Sequence, residues 1–118
     1  MSNRVTHFEI PAENPEETIN FFSNVFGWKF EQFGSQEYWL AISGDEKTPG
    51  INGAIMKPVG KGQPVINTIS VDDIDSVLAK VEASGGKVLK KKQNLVSVGW
   101  LAFVSDPAGN IHGVLQAL

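Results

Sequence analysis

The chain has no cysteine. That absence excludes disulfides, thiolate metal sites and every cysteine-nucleophile mechanism. Arg4 is the one arginine, and His7 and His112 are the 2 histidines. Lys and Arg together number 10 against 13 Asp and Glu, giving a net charge of −3 and a pI near 5.3. Nucleic-acid binders present a basic face, and the one dense basic run here is Lys90-Lys91-Lys92 with Lys87 nearby. Such a run reads as a solvated strand or turn. No apolar stretch approaches the ~20 residues of a membrane span. The opening Met-Ser-Asn-Arg-Val-Thr-His lacks the apolar centre of a secretory signal. Gly60-Lys61-Gly62 lacks the spacing and setting of a phosphate loop, and no Gly-x-Ser-x-Gly elbow occurs. The expectation is a soluble, cytoplasmic protein with neither nucleic acid nor membrane as partner.

What is present is a repeat. At 118 residues, 42% hydrophobic and 19% charged, the chain reads as one globular domain, 1–118. Each half opens on an alternating, strand-like segment, Val5-Thr6-His7-Phe8-Glu9-Ile10 and Val65-Ile66-Asn67-Thr68-Ile69-Ser70-Val71. A helix follows in each. Asn14-Pro15-Glu16-Glu17 supplies an N-cap, a proline at the first helical position and acids in the first turn. Ile19, Phe22 and Phe26 form its apolar stripe, widened by Thr18, Phe21 and Val25. In the second half Asp73 caps, and Ile74, Val77, Leu78 and Val81 recur at helical spacing. Gly27 and Gly85-Gly86 are the stop signals.

A shift of 59 lays Asn14 on Asp73, Ile19 on Leu78 and Phe22 on Val81. Trp39-Leu40-Ala41 matches Trp100-Leu101-Ala102 at 61, and Gly53-Ala54-Ile55 matches Gly113-Val114-Leu115 at 60. Three further strands are expected per half, near 28–33, 37–43 and 51–57, then 86–92, 98–104 and 111–117. The fold class is therefore α+β, two tandem βαβββ modules over about 4–57 and 65–117, joined by a linker near 58–64 rich in glycine and proline. A ferredoxin-like βαββαβ dimer would leave the fourth strand of each half unexplained.

Two βαβββ modules, with His7 in the first strand and Asp106-Pro107-Ala108-Gly109-Asn110 entering the last, resemble the vicinal-oxygen-chelate superfamily. Its members include glyoxalases, bleomycin-resistance proteins and extradiol dioxygenases. His7-Phe8-Glu9-Ile10-Pro11-Ala12, Val25-Phe26-Gly27-Trp28 and Gly113-Val114-Leu115-Gln116 look most like the glyoxalase-related branch. The resemblance implies a sheet curled into a cup with the helices packed outside, and a homodimer. In the superfamily's metalloenzymes, inner strand positions hold a divalent metal that polarises substrate oxygens. His7 stands where the resemblance places the first ligand, but the other three positions read Gly53, Ile66 and Gly113. One ligand of four is no metal site, so no cofactor is expected, and a bound metal would rest on His7 and Glu9.

The candidate catalytic residues are His7 and Glu9, two positions apart on one strand face, available for acid/base chemistry or a plain structural hydrogen bond. His112 should point to the other face. The candidate ligand-binding residues are Trp39 and Trp100, taken with Ala41 and Ala102 to face the cup, and the hydroxyls Thr68 and Ser70. An aromatic pocket with a few hydroxyls suits a small organic molecule. The competing readings are a metal-dependent glyoxalase-type lyase, isomerase or dioxygenase and a non-catalytic dimeric interaction module.

Overall fold

The structure is a computed structural model, and it describes residues 3–118. Met1 and Ser2, which open the segment read for a secretory signal, lie outside the described residues. The element order is β1 (Arg4–Pro11), α1 (Pro15–Phe26), β2 (Lys29–Gln32), β3 (Tyr38–Ile42) and β4 (Gly53–Met56), then β5 (Ile66–Ser70), α2 (Ile74–Ala83), β6 (Lys87–Leu95), β7 (Gly99–Ser105) and β8 (Ile111–Ala117). This is the expected α+β class, βαβββ twice. Two compact units emerge: His7–Val65, and Ile66–Leu118 together with the residues up to Thr6.

In the first unit β4 lies between β1, to which it is parallel, and β3, to which it is antiparallel, and β2 forms the edge. Asn14 caps α1 by accepting from the Glu17 backbone N–H, one of the orphan donors at the helix start, and its side-chain amide donates to Glu17 Oε2 at 3.1 Å. Gly27, at φ 74°, ends it. The layer between α1 and the sheet is aromatic. Phe22 stacks on Trp28 at 4.6 Å between centroids, and Trp28 meets Phe8 at 5.7 Å and Phe30 at 6.4 Å. Beneath these rings the sheet offers small or compact residues, with Ala41 and Ile55 fully buried. The apolar stripe of α1 is narrower than its sequence suggests: Phe21, Val25 and Phe26 stay 53%, 56% and 60% exposed.

The second unit repeats the plan, with β8 parallel to β5 and antiparallel to β7, and β6 at the edge. Asp73 caps α2 by accepting from the Ser76 N–H at 3.2 Å. Its core joins Val71, Ile74, Ala102, Val104 and Val114, with Val77, Leu78 and Val81 of the helix packed against them. Gly86 carries no side chain because a Cβ there would come within 2.5 Å of the Ser105 carbonyl oxygen. β6 runs three residues beyond its expected end at 92, helped by two register shifts along β7. Of the lysine run, Lys90 and Lys91 are exposed, while Lys92 bonds Asp75 at 2.9 Å and sits 4.7 Å over the Trp100 ring. Among the described residues no helix is long and apolar enough to cross a membrane.

Candidate functional site

Register decides which side chains share a face, because residues directly paired across strands point the same way. Glu9 pairs Ala54, and Ala54 pairs Leu40; Pro11 pairs Met56, and Met56 pairs Tyr38. His7, Glu9, Tyr38 and Leu40 therefore stand on one face of the first sheet. Phe8, Ile55, Trp39 and Ala41 stand on the other, the one covered by the aromatic layer of α1.

On the first of these faces three side chains form a hydrogen-bonded chain across β1 and β3. The Tyr38 hydroxyl donates to Glu9 Oε2 at 3.0 Å, and His7 Nε2 lies 3.0 Å from the same hydroxyl oxygen. The single phenolic proton goes to Glu9, so His7 must donate through Nε2–H. Its Nδ1 is then the unprotonated acceptor. Burial lowers the His7 pKa below its ordinary 6.5, opposed in part by the nearby Glu9 charge. Burial also raises the Tyr38 pKa, and the Glu9 charge and hydrogen bond add to it. Tyr38 is thereby held as a proton donor across the physiological range, and His7 as a neutral imidazole. Glu9 Oε1 and His7 Nδ1 have no protein partner among the described residues, which leaves them free for a bound molecule.

The other candidates need correction in phase. Trp39 pairs Ile55 on the helix-covered face, one residue out of step with Glu9. Trp100 packs against the α2 core cluster with Ala102, away from Thr68 and Ser70. The sequence reading assumed that alanines line a cavity and leucines meet the helix. The reverse holds: Ala41 pairs Gly53 and Ala102 joins the α2 cluster, so both alanines stand on the helix-covered faces beside the tryptophans. Ala41 and Ala102 are both 0% exposed for that reason.

Thr68 and Ser70 do lie on the face of the second sheet opposite α2, the phase expected for them. Thr68 pairs Gly113 and is 4% exposed; Ser70 Oγ is 2.6 Å from Thr6 Oγ1. His112 pairs Val104 on the α2 face, as its position suggested, and its Nε2 lies 3.0 Å from Asp106 Oδ2. Tyr38 was missed. The same one-residue error in phase that put Trp39 on the functional face took Tyr38, its neighbour, off it.

The repeat offset also hid a slip. Gly53 lies on the Phe8 side, where a Cβ would come within 2.5 Å of the Phe8 ring, whereas Gly113 faces Thr68, whose Oγ1 a Cβ would meet at 2.8 Å. The position in β4 that pairs Glu9, as Gly113 pairs Thr68, is Ala54. Neither alanine nor glycine can ligate. Among the described residues no three His, Asp or Glu side chains gather into a group that could hold a metal ion. The donors at hand are His7 and Glu9, with His7 Nε2 and Glu9 Oε2 committed to Tyr38. That set does not fit the three-ligand cage of a catalytic divalent metal.

A family model for the Glyoxalase/Bleomycin resistance protein/Dioxygenase superfamily matches residues 4–112. The chain belongs to this superfamily. It is 35% identical over 104 residues to CFP32 of Mycobacterium tuberculosis, whose name marks it as a provisional glyoxylase; the match covers 82% of the chain and 39% of that protein. The chain thus spans about two fifths of the length of this curated relative. It is also 26% identical over 123 residues to the anthracycline biosynthesis protein DnrV of Streptomyces peucetius, covering 91% of the chain and 44% of that protein. Among solved structures, a hypothetical protein, BH1468, from Bacillus halodurans superposes with a TM-score of 0.71 at 15% identity, covering 100% of this superfamily member and 96% of the other chain. Methylmalonyl-CoA epimerase from Mycobacterium tuberculosis does so at 0.66 and 13%, covering 97% and 87%. At such identities the structural likeness speaks for the fold alone.

Proposed function

We propose that this superfamily member binds a small organic molecule on the face of the first sheet that carries His7, Tyr38 and Glu9, and moves a proton on it without a resident divalent metal. The observation that carries the reading is the hydrogen-bonded chain from His7 through Tyr38 to Glu9. Glu9 has the free oxygen that a general base needs. The Tyr38 hydroxyl, held protonated, can turn its one proton away from Glu9 Oε2 toward a substrate oxygen that gathers charge as Glu9 takes up the carbon-bound proton. The neutral His7 holds the Tyr38 oxygen through Nε2–H and offers Nδ1 as an acceptor for a substrate hydroxyl. The reaction class that suits these roles is proton abstraction from a carbon next to a carbonyl, and the molecule is a small carbonyl compound, free or as a thioester. A homodimer and a cytoplasmic setting belong to the same reading, to be checked by sedimentation and by cell fractionation.

The test is exchange of carbon-bound hydrogen in heavy water, followed by NMR. The probes are small 2-oxo acids, α-hydroxy ketones and methylmalonyl-CoA, the compound in the structural neighbour's name, and the protein is freed of metal by chelation. Wild-type protein should catalyse exchange on at least one probe, and Glu9→Gln should slow it by a factor on the order of 100. Turnover that appears only with nickel, zinc, manganese or ferrous iron, and vanishes in His7→Ala, would replace this reading with a metal-dependent lyase or isomerase. A protein that binds none of the probes and shows no exchange would leave the non-catalytic interaction module.

A further inference from the structure

The second unit contains an opening that neither His7 nor Glu9 reaches. Beside α2, where it meets its sheet, lies a solvent-open cleft of about 280 Å³, lined by Val77 and Val81 of the helix and by Ile69, Val71, Val104 and Val114 of the strands. His112 and Asp106 stand together in the same lining. The cleft follows from the repeat. Val81 occupies the position that Phe22 fills in the first unit, at the shift of 59, and the ring that Phe22 stacks on Trp28 has no counterpart among the valines. An aliphatic cavity of about 150 Å³ is large enough for benzene, so this opening has the volume for a substituted ring.

Its polar corner is built. Asp106 accepts from the backbone N–H of Ala108 at 2.9 Å and of Asn110 at 3.0 Å, and from the Asn110 side chain at 3.1 Å. The bond with His112, foremost, and those with Asn110 hold its carboxyl down to about 2, so it is an acceptor only. His112 therefore donates through Nε2–H, and in the neutral imidazole Nδ1 is then an acceptor, with no protein partner among the described residues. A mostly apolar opening with the imidazole of His112 in its lining suits a molecule with an apolar body and one donor.

We propose that the cleft where α2 meets the second sheet is a binding site for a small aromatic alcohol of the alkylphenol class, its hydroxyl donating to His112 Nδ1. The site lies on the opposite face of its sheet from Thr68 and Ser70, and it does not depend on the function proposed for His7 and Glu9.

The experiment is a methyl-resolved NMR titration of the whole protein with para-ethylphenol, and with para-ethyltoluene as the probe that lacks the donor. Saturable shifts should appear at the methyls of Val77, Val81, Val104 and Val114, and His7→Ala should leave them unchanged. Val81→Phe, which restores the ring present in the first unit, should abolish them. Gly86 lies close against Val81, so Val77→Leu is the second filling variant and should weaken binding if Val81→Phe does not fold. His112→Leu should weaken para-ethylphenol on the order of 10-fold, the scale of one lost hydrogen bond, and leave para-ethyltoluene within about twofold. Three outcomes overturn the proposal: no shift at those methyls at millimolar probe, shifts that survive both filling variants, or equal loss of the two probes in His112→Leu.

Discussion

The two units share an element order and a register plan, yet they fill the space between helix and sheet by different means. The first uses rings: Phe8, Phe22, Trp28 and Phe30 lie in one aromatic layer over Ala41 and Ile55. The second uses Val77, Val81, Val104 and Val114 over Ala102, and leaves a solvent-open cleft of about 280 Å³. The opposite faces differ in the complementary sense. In the first unit that face carries the linked His7, Tyr38 and Glu9. In the second, Ile66 and Thr68 are closed off at 4% exposure each. A duplicated fold has thus placed its ionisable chain on one copy and its unfilled apolar layer on the other.

The largest expected effect breaks the aromatic side of this contrast. Phe22→Ala removes the ring stacked on Trp28 and should cost about 3 kcal/mol in urea unfolding. Val81→Ala, the matching truncation beside an existing cleft, should cost about 1 kcal/mol. Equal losses would show that the two layers are packed alike. Next come the two glycines that the repeat appeared to equate. Gly53→Ala drives a Cβ into Phe8 on a layer already full of rings and should cost about 2 kcal/mol. Gly113→Ala meets only the Thr68 hydroxyl, so Thr68→Ala in the same chain should recover most of its smaller loss. A Gly53→Ala protein as stable as wild type would break the assignment of Gly53 to the helix side.

The βαβββ order, both helix caps and all six later strands could be read from the sequence to within three residues. Caps and stops are local chemistry: Asn14, Asp73 and Gly27 act within a turn of where they stand. What the sequence did not disclose was phase. Period-two alternation says that Trp39 and Ala41 share a face, but only a partner strand says which face. The pairing of Leu40 with Ala54 and of Ala54 with Glu9 settles that, and it is a contact between segments far apart in the chain. His7 and Glu9 could be found because they are two apart on one strand. Tyr38 joins them only through tertiary structure, and its sole advance signal was that it is the chain's one tyrosine. The cleft beside Val81 was likewise invisible, since a missing ring is seen only when the layer is assembled.

The smaller effects concern protons, and they separate the two histidines. Asp106 titrates near 2 when folded against an ordinary 3.8, chiefly because His112 bonds it. On acidification the unfolded chain takes up this proton first, so the stability it contributes is present above pH 3.8 and is lost as pH falls through about 2. His112→Ala should move the Asp106 midpoint upward in carbon-detected NMR, and an unmoved midpoint would deny the pair any role.

His7 works in a different window. Its folded pKa lies below 6.5 because burial disfavours the imidazolium, with Glu9 pulling the other way. Between that lowered value and 6.5 the unfolded chain holds more protons. Stability therefore falls as pH drops below 6.5 and levels off once folded His7 is itself protonated. Glu9→Gln removes the opposing charge, so the His7 ring should titrate at still lower pH. Tyr38→Phe leaves the charge in place and removes the hydroxyl that separates the imidazole from the carboxylate. An upward move of His7 in that variant would mean that imidazole and carboxylate then meet directly, and that the tyrosine serves to keep base and histidine apart.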